Sequence, residues 1–188
     1  MKSIGNSAIF GLAVLLGIAG VLADLGYSHW QRPPKVDAHR LTSQIWVAEQ
    51  LNLAAIPQLK ERGFKTIIDL RPDGEAADQP PAAAVESAVR AQHLHFAYVP
   101  VPHGDIPDAA VAALNQAIAT TPGPILLYCR SGRRAARTWS LVEASRPGGL
   151  DAATIKAIVK ASGQSADDLD AAINRRIANR ISKSGTAS

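Results

Sequence analysis

A chain of 188 residues and 19.8 kDa has room for one domain with short additions at its ends. Hydrophobic residues make up 47% of it and charged residues 19%, a balance that excludes wholesale disorder. The net charge of +4 favours anionic partners, but the basic residues form no long run and the aromatic ones are scattered, so no nucleic-acid partner is predicted. The single cysteine excludes an internal disulfide and a zinc site built from several cysteines.

An apolar segment at the N-terminus is the first predicted element. Residues 3–23 carry no charged side chain, and Ile4 to Ala23, at about 1.5 Å per residue, would reach roughly 30 Å as a helix. Segment 1–23 is therefore predicted to be a single-pass transmembrane anchor, with a cleaved signal segment as the alternative. Either would place the rest of the chain on the periplasmic or extracytoplasmic side. Segment 24–38, which contains Pro33-Pro34, is predicted to be a stiff linker.

Strand-like and helix-like patterns then alternate. This order is typical of an α/β fold with a mostly parallel central sheet flanked by helices, and residues 39–146 are predicted to form that catalytic domain. A C-terminal helical extension, 147–188, follows Pro147-Gly148-Gly149, with helices expected at 151–161 and 166–181. Within the domain, strands are predicted at 44–48, 65–70, 96–101 and 124–128, and helices at 52–62, 82–92, 108–120 and 134–144.

The segment PILLYCRSGRR carries the strongest chemical signal. A buried strand delivers Cys129 to the edge of the sheet where parallel α/β folds bind their ligands. The loop Arg130, Ser131, Gly132 and Arg133 then leads into a helix, whose N-terminal N–H groups can hold an anion and favour a thiolate. Arg134 is predicted to bind two oxygens of that anion. The alternative is a core cysteine beside solvated arginines, but four arginines near a helix N-terminus oppose the helix dipole unless an anion is bound.

The stretch from about Leu41 to Ala144 resembles the phosphatase-like domain of β-lactamase-hydrolase-like proteins. The resemblance rests on GFKTIIDLRPDGE (63–75), the YVPVP strand and PGPILLYCRSGRR (122–134). It implies the fold of the cysteine-dependent dual-specificity phosphatases and hydrolysis of a phosphate ester through a phosphocysteine. Two positions depart from the family pattern: Ala48-Glu49 replace a Ser-Gly pair, and Ala135 replaces a serine that could assist turnover.

The spacing of the loop leaves a second reaction open. Four residues separate Cys129 from Arg134, whereas tyrosine-type phosphatases have five. Four is the spacing of rhodanese-type sulfurtransferases, which would carry sulfur as a Cys129 persulfide. Asp105 favours the phosphatase, because it follows the preceding strand, where phosphatases of this fold carry a general acid. It is equally compatible with a simple turn residue.

A charged cluster follows the strand at 65–70. Asp69, Arg71, Asp73 and Glu75 are expected at the same edge of the sheet as Cys129, with Arg71 paired to Glu75 and forming a pocket wall. No metal site and no cofactor are predicted, because the carboxylate spacing is unlike that of a calcium loop. The expected partner is an anionic small molecule or phosphoprotein, and a non-catalytic oxyanion-binding module is the third possibility.

Overall fold

The computed structural model describes residues 35–185. The predicted anchor, 1–23, and most of the predicted linker, 24–38, lie outside this range. Within residues 35–185, none of the helices is both long and apolar enough to cross a membrane.

A five-stranded sheet forms the centre of the described unit. The strands are β1 (Ala38–Arg40), β2 (Ile45–Ala48), β3 (Thr66–Asp69), β4 (His95–Tyr98) and β5 (Ile125–Tyr128), arranged in the order β1-β2-β5-β3-β4. Only the β1–β2 pair is antiparallel. The predicted α/β fold with a mostly parallel sheet is confirmed. The short strand β1 was not predicted. It begins at Ala38, the last residue of the predicted linker.

The helices lie on both faces of the sheet. A 3-10 turn (Leu53–Ala55), capped by the Asn52 side chain, leads into the first helix, and a second 3-10 turn (Asp167–Leu169) precedes the last. The α-helices are α1 (Ile56–Glu61), α2 (Ala82–Ala91), α3 (Asp108–Thr120), α4 (Arg133–Ser145), α5 (Ala152–Ala161) and α6 (Asp170–Gly185).

Strand β5 explains why the core has two layers. Side chains alternate between the faces of a strand, so Leu126 and Tyr128 join the cluster with α1 and α2, whereas Leu127 and Cys129 join the cluster with α3 to α6. All four strand residues are buried. A strand covered on both faces is typical of a parallel sheet and accounts for the continuous apolar run ILLY.

The C-terminal segment shares this core. Ile155, Val159 and Ile173 are completely buried, and Ala166 is 2% exposed, in the same cluster as β5 and α4. Arg180 of α6 donates hydrogen bonds to the carbonyl oxygen of Glu143, in the last turn of α4, and to those of Gly149 and Leu150, which follow that helix. Residues 147–185 therefore belong to the same compact unit as the sheet.

The candidate active site

Four parallel strands end level with one another at the edge of the sheet that carries the site. Ala48, Tyr128, Asp69 and Tyr98 are in register across β2, β5, β3 and β4. Cys129 is the first residue beyond β5, and its N–H lies 3.4 Å from the Ala48 carbonyl oxygen. The strand pairing thus sets the depth at which the thiol lies.

The loop after Cys129 turns at a residue that must be glycine. Gly132 has a φ of +80°, a region that residues with a Cβ rarely adopt. A Cβ there would also lie 3.1 Å from the Gln164 Nε2. The loop is fastened on both sides, because the Gln50 N–H donates to the Arg130 carbonyl at 3.3 Å and the Gln164 Nε2 donates to the Ser131 carbonyl at 3.1 Å.

Helix α4 begins immediately after this turn. Gly132 is its N-cap and supplies no capping side chain. The first N–H groups of a helix have no acceptor within the helix, and they carry the positive end of its dipole. The N-terminus of α4 therefore offers a set of N–H donors without a capping side chain, beside Cys129.

Arg134 is held by three acceptors from different parts of the chain. Its Nη1 donates to the carbonyl oxygens of Val101 at 2.8 Å and Leu70 at 3.4 Å, and its Nη2 donates to Glu75 Oε1 at 2.8 Å. A guanidinium has five N–H donors, so Nε–H and one Nη2–H remain without a partner among the described residues. Guanidinium N–H donors that are left unpaired beside a cavity can bind the oxygens of an oxyanion.

Glu75 links Arg134 to a second arginine. Its Oε2 accepts from Arg71 Nε at 3.1 Å, while Arg71 Nη1 donates to Gln50 Oε1 at 2.8 Å. The predicted Arg71–Glu75 pair is confirmed. Its position differs from the prediction, however: Arg71 is 4% exposed and lies behind Arg134, so it supports the pocket through Glu75 and does not line it.

A pocket of about 350 Å³ opens above Cys129. Cys129 is only 1% exposed, yet it contributes to the lining of the cavity and lies on its floor. Four arginines and one carboxylate surround this floor. The polar and charged lining residues are His103, Arg130, Ser131, Arg133, Arg134, Arg137 and Asp168.

Asp105 lies on the loop that forms one side of this pocket. Its neighbours His103, Gly104 and Ile106 line the cavity, but Asp105 itself is exposed and does not. Its Oδ1 accepts from the Ile106 N–H at 2.8 Å, the arrangement of a local turn. Use of Asp105 as an acid would require its side chain to turn towards Cys129.

Asp69 is a buried carboxyl group at the end of β3. It is 1% exposed and accepts a hydrogen bond from the Arg71 N–H at 2.8 Å. Desolvation by burial raises the pKa of Asp69 from 3.8 to about 6. Among the described residues, no group of three or more His, Cys, Asp or Glu side chains is arranged to hold a metal ion.

Sequence reasoning missed three residues of the site. Gln50 supports Arg71, Gln164 fastens the loop, and Asp168 reaches the pocket from beyond α5. None belongs to the cysteine motif, so their roles depend on contacts between distant parts of the chain. The sequence analysis placed Asp168 in a helix, 166–181, and gave no signal of a position near Cys129.

The central part of the chain resembles known proteins. A family model described as the phosphatase-like domain of beta-lactamase hydrolase-like protein matches residues 37–146. A beta-lactamase hydrolase-like protein of Xylella fastidiosa is 37% identical over 103 residues, which cover 55% of this chain and 24% of the relative. The corresponding protein of Agrobacterium fabrum is 36% identical over 107 residues, covering 57% and 25%. The chain thus matches about a quarter of the length of these curated relatives.

Solved protein structures share the fold of this chain. A candidate phosphatase from Neisseria meningitidis superposes with a TM-score of 0.66 at 27% identity, covering 73% of this chain and 96% of that one. TpbA of P. aeruginosa superposes with a TM-score of 0.56 at 15% identity, covering 80% and 94%, which is a likeness of fold alone. With the family match spanning the strand, loop and helix that form the pocket, the chain belongs to the phosphatase-like domain family of the beta-lactamase hydrolase-like proteins.

Proposed function

We propose that this chain is a cysteine-dependent hydrolase of phosphate esters that acts through a covalent phosphocysteine. The observation that carries the proposal is the position of Cys129 on the floor of a pocket beside the two free N–H donors of Arg134. The expected substrate is an anionic small molecule or phosphoprotein. Family membership supports a phosphatase-like hydrolase over the other classes considered.

The proposed reaction has two steps. The Cys129 thiolate attacks phosphorus and the ester P–O bond breaks, while Arg134 and the N–H groups of Arg130 to Arg133 hold the other phosphoryl oxygens. Asp105 is proposed to protonate the departing alkoxide after its side chain turns inward. The Asp105 carboxylate then takes a proton from a water molecule as that water attacks the phosphocysteine, the P–S bond breaks, and inorganic phosphate and the thiolate are released.

The nucleophile is tested with a generic aryl phosphate. Wild-type protein is compared with Cys129→Ser and with Arg134→Lys, which keeps the charge but loses the two-donor geometry. We expect no turnover by Cys129→Ser and a loss of at least about a hundredfold in kcat/KM for Arg134→Lys. Turnover that survives in Cys129→Ser would contradict the proposal. Binding of inorganic phosphate by a wild-type protein without any turnover would instead indicate a binding module.

Asp105 requires its own experiment. If it is the general acid, Asp105→Asn should lower kcat by about a hundredfold for an alkyl phosphate, whose leaving group needs a proton. The loss should be much smaller for 4-nitrophenyl phosphate, whose leaving group departs as an anion. Asp108→Asn, on the same loop-to-helix junction and 91% exposed at its side chain, is the control. Equal losses on the two substrates would remove Asp105 from the mechanism.

Sulfur transfer is a second candidate because of the loop length. Only four residues separate Cys129 from Arg134, which suits the terminal sulfur of a persulfide. In that reaction the Cys129 thiolate would take the outer sulfur of thiosulfate, releasing sulfite, and the resulting persulfide would pass that sulfur to cyanide, giving thiocyanate and the free thiolate. Incubation with thiosulfate and cyanide should yield thiocyanate only if this candidate is correct. Formation of thiocyanate without turnover of the aryl phosphate would favour sulfur transfer over phosphate-ester hydrolysis.

We also propose that segment 1–23 tethers the domain to a membrane, on its periplasmic or extracytoplasmic side. The basis is the uncharged run 3–23 in the sequence. Expression of the full chain, followed by membrane fractionation and mass measurement of the recovered protein, tests this. Membrane-bound protein of full mass supports an anchor, whereas loss of the first residues supports a cleaved signal. Full-length protein in the soluble fraction would contradict both.

A further inference from the structure

Asp168 places a carboxylate in the anion pocket from outside the family domain. The family match ends at residue 146, whereas Asp168 lies in the 3-10 turn between α5 and α6. Its Oδ2 lies 2.5 Å from Arg137 Nη2 and 3.9 Å from Arg133 Nη2. The pocket that contains Cys129 is therefore lined at one end by an acidic group that the matched domain does not supply.

The turn that carries Asp168 is held in place by the core and by the cysteine loop. Ala166, two residues earlier, is 2% exposed, and Ile173, on the following helix, is completely buried in the core shared with α4. Gln164 is hydrogen-bonded to the Ser131 carbonyl of the cysteine loop itself. The turn is thus fixed to the core on one side and to the loop on the other, so its position relative to the arginines is set by the fold.

Arg137 is only partly satisfied by this carboxylate. Its side chain is 14% exposed, and its Nε is buried without a hydrogen-bond partner among the described residues. Arg133, by contrast, is 59% exposed and lies at the longer distance from Asp168. A buried guanidinium with an unused donor beside a cavity has unmet capacity for another acceptor.

We propose that Arg133 and Arg137 form a second anion subsite in the Cys129 pocket and that Asp168 occupies it as an internal counter-ion. Asp168 is then a specificity-determining residue. A substrate with one anionic group binds at Arg134 and leaves the Asp168–Arg137 pair intact. A substrate with a second anionic group must displace the Asp168 carboxylate and meets its negative charge, so it is disfavoured. The statement about substrates rests on the proposed function, but the statement about anion binding does not.

The binding test needs no turnover. In the Cys129→Ser background, the Kd values of inorganic phosphate and pyrophosphate are measured by calorimetry with and without Asp168→Asn. We expect Asp168→Asn to lower the Kd of pyrophosphate about fivefold more than the Kd of phosphate. A factor of this size is at the upper end of what a partly exposed ion pair contributes. Adding Arg137→Gln should abolish this gain. Asp167→Asn is the matched control, because it makes the same charge change one residue away, where the carboxylate contacts Ser165.

The catalytic test uses phenyl phosphate and 3-carboxyphenyl phosphate. Asp168→Asn should raise kcat/KM for the carboxylated ester about fivefold relative to phenyl phosphate. The subsite proposal would be overturned if Asp168→Asn changed the Kd of both ions equally and the kcat/KM of both esters equally. It would also be overturned if Asp167→Asn produced the same changes as Asp168→Asn. If pyrophosphate gains affinity while neither ester is hydrolysed, the subsite stands and the proposed hydrolysis fails.

Discussion

At the scale of single residues, the orientation of Arg134 in the site depends on Glu75. One carboxylate accepts from both Arg134 and Arg71, with shortest distances of 2.8 and 3.1 Å. It fixes the orientation of Arg134 while leaving two N–H donors free. Glu75 is thus a positioning residue that acts through Arg134.

Glu75→Gln should therefore weaken anion binding and turnover together. A neutral amide cannot pair with two guanidinium groups, so Arg134 is expected to lose its fixed orientation and kcat/KM to fall by about tenfold to a hundredfold. The phosphate Kd of Cys129→Ser should rise when Glu75→Gln is added. Glu86→Gln is the control, because it removes an exposed ion pair with Arg90. An unchanged phosphate Kd would show that Glu75 has no role in holding Arg134.

Asp69 predicts a pH dependence of stability. Burial raises its pKa from 3.8 to about 6, so between these pH values the folded protein keeps a proton that the unfolded chain has lost. The free energy of unfolding therefore falls as pH rises through that window. Above about pH 6 the folded protein bears the full cost of an ionised, buried Asp69 carboxylate. Asp69→Asn removes the cost while its amide oxygen can still accept from the Arg71 N–H.

The measurement is the free energy of unfolding in urea across that window. Relative to wild type, Asp69→Asn should gain about 1–3 kcal/mol between pH 4 and pH 7. Because only the difference between the two proteins is compared, the titration of other groups cancels. A difference that stays constant with pH would mean that Asp69 titrates like a free carboxyl group.

At the scale of elements, the cysteine loop depends on Gly132. Its φ of +80° costs a residue with a Cβ about 1–2 kcal/mol, and the added Cβ would also press on Gln164. Gly132→Ala should therefore destabilise the protein and shift the N–H donors, lowering kcat/KM for an aryl phosphate by at least about tenfold. Gly148→Ala is matched to it, since Gly148 has a φ of +68° with no atom within 4 Å of its Cβ.

The two glycine variants separate strain from function. Both should lose stability in thermal or urea unfolding, Gly132→Ala the more because its Cβ also meets Gln164, but only Gly132→Ala should lose activity. The reason is that Gly132 begins helix α4 beside Cys129, whereas Gly148 lies in the turn before α5. Full activity in Gly132→Ala would mean that the loop tolerates a different backbone conformation at its turn.

At the scale of the whole molecule, the C-terminal segment is part of the folding unit. Ile173 of α6 is completely buried against the core shared with α4, whereas Ile181 on the same helix is 63% exposed. Ile173→Ala should cost about 2–4 kcal/mol of unfolding free energy, and Ile181→Ala close to none. Urea unfolding followed by tryptophan fluorescence checks this. Equal effects of the two substitutions would indicate that α6 does not stabilise the sheet.

Much of the fold follows from local sequence patterns. Helix α3 begins and ends where its apolar spacing predicts, and the predicted strand 124–128 differs from β5 by one residue. Such patterns reflect burial of one helix face or of a whole strand, which neighbouring residues encode. Strand β1 was missed because three residues carry too short a pattern, and its pairing with β2 is a contact between segments.

The sequence by itself determined the α/β class, the position of Cys129 at a strand end, and the arginines that follow it, because each depends on residues close together in the chain. Only the tertiary structure decided which partners those arginines have. Glu75 lies 59 residues before Arg134, and Asp168 lies 31 residues after Arg137. Contacts over such separations depend on the order of the strands and the placement of α6, and no local pattern specifies them.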